Sequence, residues 1–220
     1  MCSQQASCYP ARLGIGRAGE GPGGEIVLGM TPAPDGAVSN PQALELLQFW
    51  FETIEPRLWF ARDGAFDARV RQRFLPLTEQ AAAGTLLRWG DEPLGALALV
   101  LLLDQLPRQI WRGSARAFST DPEALALSQA AVARGWVATE PARARRQFWL
   151  MPMMHSEDLA VQEASLPLFA RWSDPRTALF AQRHHAVIAR FGRFPHRNQL
   201  LGRPSTPEET AFLLEPGSRF

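Results

Sequence analysis

A proline directly behind an Asn, Asp or Thr marks the start of a helix. This chain repeats the signal at Asn40-Pro41, Asp121-Pro122, Asp174-Pro175 and Thr206-Pro207. The side-chain oxygen of the first residue accepts an orphan N–H of the first turn. Proline's fixed φ suits the first helical position, where its missing N–H costs nothing. Thr206 is followed three residues later by Glu209, which completes a capping-box pattern. No period-two alternation persists over a useful length, and no Asn-Gly hairpin occurs. The chain is therefore expected to be all-α.

The periodicity predicts a helix over 42–53 with Leu44, Leu47 and Phe51 inward, then one from the cap Asp63 to Phe74 with Phe66, Val70 and Phe74 inward. Pro76 opens a short helix that Gly84 stops. Residues 94–103 are apolar all round, which places that helix at the centre of a core. Pro107 is expected to end it, just beyond Asp104 and Gln105. Further helices run from Asp121-Pro122 to Gly135 and from Glu140-Pro141 to Met151, where Pro152 stops the helix. Ser156, ahead of Glu157 and Asp158, is read as the cap of a helix to Trp172 that Pro167 bends; the longest helix follows Asp174 to Phe191-Gly192. Tight turns between short helices predict antiparallel neighbours, so residues 39–215 read as a single domain of stacked helical hairpins, with an irregular bundle as the alternative. The tryptophans, spread from Trp50 to Trp172, are expected at helix contacts in the core rather than in a ligand cage. Residues 1–38, rich in Gly, Pro and small polar residues, read as a disordered tail, with Met30 as a plausible later start. Residues 216–220 read as a C-terminal tail.

Charge excludes some functions. Basic and acidic residues number 23 and 22, a net +1, which gives no electrostatic case for nucleic acid or an anionic membrane. Every basic residue is arginine, so no Schiff-base lysine exists and each cation is a planar fork suited to carboxylate or phosphate. No segment approaches the roughly 18 apolar residues of a membrane span. Cys2 and Cys8 lack CxxC spacing, and the rest of the chain has no cysteine, which points to the cytoplasm and away from disulfides or structural zinc.

Four segments carry unusual polar residues. Asp104 and Gln105 close the apolar helix, where a half-buried carboxylate demands a cation, either Arg108 or arginines near the C-terminus. His155 and Glu157 flank Ser156 at a helix start, where an anion could bind or a proton move. Gln162 falls among Leu159, Leu166 and Phe169 on one helical face, with Glu163 beside it; satisfying a neighbouring helix end is the favoured role for Gln162. His184 shares an inward face with Phe180, Val187, Ile188 and Phe191, and beyond it Arg193, His196, Arg197 and Asn198 offer more donors than the nearby acids can absorb. His155, Glu157, His184 and His196 show no metal-ligand spacing, Ser156 lacks a nucleophile elbow, and no phosphate-binding glycine fingerprint occurs, so neither metal nor cofactor is expected.

The strings LLLDQLPRQIWRGSARAF, MPMMHSE and RFGRFPHRN, with LGR and STPEE after them, resemble the bacterial domain of unknown function 924 family, as do Phe49-Trp50-Phe51 and the stretch from Trp59 to Asp67. The resemblance covers residues 41–214. Leu106, Gln109 and Trp111 stand where that family has Phe, Asn and Tyr; His184 matches its His. It implies a tetratricopeptide-like helical fold and assigns no activity.

Three readings follow. In the first, Arg108, Arg193 and Arg197 hold a small anion while His155, His184 or His196 serves as acid or base, oriented by Asp104 or Glu157; Gln105, Gln162, Glu163 and Asn198 complete the candidate site. In the second, a helical stack clamps an acidic peptide. In the third, the polar residues lock the helices together without a ligand. Oligomeric state is not set by the sequence.

Overall fold

Asn40 caps the first helix as its sequence requires: its side-chain oxygen accepts the Gln42 N–H at 2.9 Å, and α1 (Pro41–Gln48) begins at the proline. The computed structural model describes residues 40–218, and all its regular elements are helical. After α1 come α2 (Gly64–Ala82), α3 (Pro93–Val100), α4 (Leu106–Ile110), α5 (Asp121–Ala133), α6 (Trp136–Thr139), α7 (Arg143–His155), α8 (Leu159–Trp172), α9 (Pro175–Phe191) and α10 (Pro207–Phe212). Asp63 caps α2, Asp174 caps α9, and Thr206 with Glu209 forms both bonds of a capping box on α10. Among the described residues no helix is long and apolar enough to cross a membrane. The expectations for residues 1–38, including Cys2, Cys8 and Met30, lie outside the described residues.

Three prolines, Pro76, Pro152 and Pro107, behave differently from their expected roles, while Pro167 lies inside its helix as expected. Pro76 lies inside α2, so the two helices expected between Asp63 and Gly84 are one. The carbonyl it deprives of a partner belongs to Gln72, an exposed residue that water reaches. Pro167 lies within α8 in the same way, four residues after exposed Glu163. Pro152 lies within α7, which runs on to His155. Residues 147–154 are all buried there, and burying several large side chains at about 1.5–3 kcal/mol each outweighs a proline cost of about 3 kcal/mol. Pro107 does not end the apolar helix either. A π-helical turn, Leu101–Gln105, carries α3 into α4, and the Leu103 carbonyl that Pro107 cannot serve accepts the Thr120 hydroxyl at 2.6 Å.

Side-chain directions also correct the sequence reading. On α1 the buried face is Ala43, Leu46 and Leu47, while Leu44 is exposed; a second π turn, Phe49–Thr53, then buries Phe49 and Trp50 and leaves Phe51 half-buried. Leu159 is exposed at the start of α8. Asp158, not Ser156, caps that helix, its carboxylate accepting the Ala160 and Val161 N–H groups. The C-terminal stretch is not a free tail through Ser218, whose buried hydroxyl donates to the Leu213 carbonyl.

The apolar stretch 96–103 is buried throughout and forms the centre, as its composition demands. α1, α5 and α7 pack against α3; α8 lies on α7 and α9 on α8. Sequential stacking therefore holds for α7, α8 and α9. Earlier in the chain the main partners skip, α1 meeting α3 and α2 meeting α4. Trp50 and Trp149 are fully enclosed, and Trp59, Trp89 and Trp111 nearly so.

Candidate functional site

The π turn that carries Asp104 decides the site. One extra residue per turn widens the helix and turns a carboxylate out of an otherwise apolar cylinder, a device frequent at functional sites. Asp104 is wholly buried. One of its oxygens lies 2.7 Å from His155 Nδ1 and 3.3 Å from Arg108 Nη1; the other accepts the Gln105 amide at 2.5 Å. Burial alone would raise its pKa, but Arg108 and His155 outweigh burial and hold the carboxyl well below the ordinary range.

Asp121 supplies the second carboxylate. It receives both Nη groups of Arg108, at 2.9 and 3.0 Å, and Arg197 Nη1 at 3.1 Å. Arg197 also donates to the His155 carbonyl at 3.1 Å, and its guanidinium lies 4.7 Å from the Phe118 ring centre and 4.6 Å from that of Phe194. Two arginines and two aspartates thus form a charge-balanced set around the end of α7. Burial lowers the Arg197 pKa to about 10, with Arg108 adding to the effect; the residue remains a cation at neutral pH.

Three histidines face this set. His155 ends α7 instead of preceding a helix; burial and Arg108 lower its pKa against the opposing pull of Asp104. His184 Nδ1 sits 2.8 Å from the Phe180 carbonyl, which can only accept, so the ring carries its proton there. Burial and the neighbouring His155, 6.2 Å away between ring centres, push it down to about 3. Burial and Arg197 do the same to His196, also to about 3. At neutral pH the His184 and His196 rings are uncharged.

The rings and guanidinia border a cavity of about 360 Å³. Gln105, Arg108, His155, His184, His196 and Arg197 line it, with Asp104 directly behind. Its other walls include Trp59, Phe60, Arg62, Gln109, Arg112, Phe118 and Leu200.

The remaining sequence candidates lie elsewhere. Glu157 is not in the first turn of α8; it accepts the Phe194 N–H at 2.8 Å and both Nη groups of Arg203 at 2.6 and 3.0 Å. Arg193 is taken up by Glu209 at 2.6 and 2.9 Å and by the Pro204 carbonyl. Asn198 bonds Ser205, Glu209 and Arg203. These residues knit the segment after α9 to α10. Gln162, fully buried, donates to the Met154 and Ser156 carbonyls, closing the end of α7. Glu163 is exposed on α8 and does not line the cavity.

Sequence reasoning missed Asp121, because Asp-Pro reads as a cap. Thr120 occupies that position instead, which frees the carboxylate for two arginines. It also missed Arg203, although the residue stands in the LGR string, and the Trp59–Arg62 wall, for which no local signal distinguished lining from core.

Residues 46–217 match DUF924, a family described as bacterial protein of unknown function. The chain belongs to that family. The DUF924 match spans the whole cavity, from Trp59 to Leu200. Among solved structures the chain is similar to ATU0120 of Agrobacterium tumefaciens, titled a protein of unknown function: identity is 36%, the TM-score 0.74, and the match covers 79% of this chain and 97% of that one. No curated protein matches the chain.

Proposed function

We propose that the cavity binds a small organic anion and that His155 exchanges a proton with it. The observation that carries this reading is the 2.7 Å contact between buried Asp104 and His155 at the wall of an arginine-lined cavity. A neutral His155 that donates Nδ1–H to Asp104 keeps its lone pair on Nε2, across the ring. Asp104 then fixes the ring's orientation and stabilises the imidazolium formed when Nε2 takes a proton. Arg108 and Arg197 give the surroundings the polarity an anion requires. A volume of about 360 Å³ is in the ordinary range for small-molecule sites, which favours a small molecule over an acidic peptide.

The lock reading fits the second network. Arg193, Arg203, Glu157, Asn198 and Glu209 satisfy one another, and we assign them to holding the chain after α9 in place. A cysteine-free body beyond Cys8 supports a cytoplasmic location.

Ligand-observed NMR with a panel of small organic acids tests the binding reading. Binding should vanish in Arg197→Gln and persist in Glu163→Gln, with helix content unchanged in both. Binding that survives Arg197→Gln, or a panel in which no acid binds, would refute it.

A further inference from the structure

We propose, building on that reading of the cavity, that its ligand carries a single negative charge on a flat apolar body: an aromatic or unsaturated carboxylic acid, not a phosphate ester and not a neutral compound. The charge balance of the lining sets the ligand's charge. Four arginines line the cavity: Arg62, Arg108, Arg112 and Arg197. Three aspartates pair with them. Asp104 and Asp121 serve Arg108 and Arg197 in the interior, and Asp67 takes Arg112 at 2.6 Å. His184 and His196 are uncharged, and with His155 neutral as in the proposed function the lining and its direct partners carry four positive charges against three negative, a surplus of one.

The surplus has a place. Arg62 makes no ion pair among the described residues. Its sequence neighbour Asp63 is occupied as the cap of α2, accepting the Phe66 N–H at 2.9 Å. One negative charge on the ligand would make the filled cavity neutral. A second would lie beside aspartates in a partly desolvated space with no cation to offset it, a costly arrangement. Arg62 is exposed, so a neutral ligand would leave it to solvent and gain nothing from its charge.

The walls set the rest of the molecule. Trp59, Phe118 and Leu200 present apolar surface, and Phe60, 60% exposed despite its size, stands at the same cavity. Aromatic surfaces favour flat partners through offset or edge-on contacts. Such a body beside one carboxylate satisfies both walls and charge.

A matched trio of probes tests the proposal at pH 8: phenylacetate, phenylacetamide and benzyl phosphate, a dianion at that pH. The chain has four histidines, three of which line the cavity, so the imidazole C2–H resonances report occupancy directly. Phenylacetate should shift them with an affinity at least about tenfold above those of the other two, a difference of about 1.4 kcal/mol. Arg62→Gln should weaken phenylacetate about tenfold, while Arg62→Lys should keep most of the affinity. Equal or tighter binding of benzyl phosphate or phenylacetamide at the same resonances, or an Arg62→Gln variant that binds phenylacetate unchanged, overturns the charge assignment and leaves the cavity as a ligand site. If none of the three moves any cavity histidine, both the proposal and the reading beneath it fall.

Discussion

His155 Nδ1 lies 2.7 Å from a carboxylate oxygen of Asp104, joining the last residue of α7 to the π turn at the centre of the core across 51 residues of sequence. The pair sits where burial penalises both charges, so its stability depends on Arg108 completing the set.

Asp104→Asn keeps the shape and the acceptor but removes the charge. Arg108 retains Asp121, so the fold should survive at a cost of about 1–3 kcal/mol in urea unfolding. The His155 pKa should fall further, because the negative charge that raises it at contact distance is gone. Asp104→Leu removes the acceptor as well and should cost more, about 3–5 kcal/mol. A leucine variant as stable as wild type would mean the pair contributes nothing to the fold.

The buried histidines make stability depend on pH, and the sign follows from their direction. His184 and His196 fall from an ordinary 6.5 to about 3 in the folded chain. The unfolded chain therefore binds protons below about 6.5 that the folded one refuses. Their penalty is absent above that pH and grows as pH falls towards 3, at up to about 1.4 kcal/mol per unit for each group. Glu209, held down to about 2 by Arg193, adds a loss below its ordinary 4.5. Between pH 7.5 and 5.5 unfolding free energy should drop by about 1–3 kcal/mol. His184→Gln should flatten that slope by close to one proton, and an unchanged slope would show that His184 titrates normally.

The two polar networks should separate by mutation. Glu157→Gln weakens the clamp that holds Arg203 and the Phe194 N–H, so it should lower stability by about 1–3 kcal/mol. It hydrogen-bonds none of the cavity's lining and acts on Arg197 and His196 through charge alone, so phenylacetate affinity should fall far less than in Arg197→Gln at a temperature where both are folded. Arg197→Gln should do the reverse in affinity. Isothermal titration beside thermal melting reads both quantities, and a Glu157→Gln variant that loses binding while folded would join the networks into one.

How much of this was legible depended on how far each cause lies along the chain. Caps are local: Asn40, Asp63, Asp174 and Thr206 each bond an N–H two or three residues away, and each was readable. Whether a proline ends a helix is not local, because the decision rests on what accepts or replaces the lost hydrogen bond. The same distance rule governs the site. Asp104, Arg108, His155 and Arg197 stood out as polar groups in apolar or donor-rich strings. Their grouping rests on Asp121, 76 residues from Arg197, whose own context reads completely as a helix start. Glu157 and Arg193 were drawn into the same cluster by chemistry alone, and the turn after Gly192, with its positive φ, directs them to other partners.

Pro107 and Thr120 provide the sharpest test of that distance rule. The Thr120 hydroxyl donates at 2.6 Å to the Leu103 carbonyl, four residues before a proline that has no N–H to offer. Thr120→Val is nearly isosteric and leaves the buried carbonyl unpaired, so it should cost about 1–3 kcal/mol. Pro107→Ala alone supplies a competing donor while Thr120 already serves the carbonyl, and should be close to neutral. In the double variant the alanine N–H can take over, so the loss from Thr120→Val should shrink by about 1 kcal/mol or more. That coupling is read from urea unfolding of the four proteins as a double-mutant cycle. Additive effects would mean that the hydroxyl does not stand in for the missing N–H. The π turn between Leu101 and Gln105 would then owe its persistence to packing alone, and Asp104 its place facing His155 to the same cause.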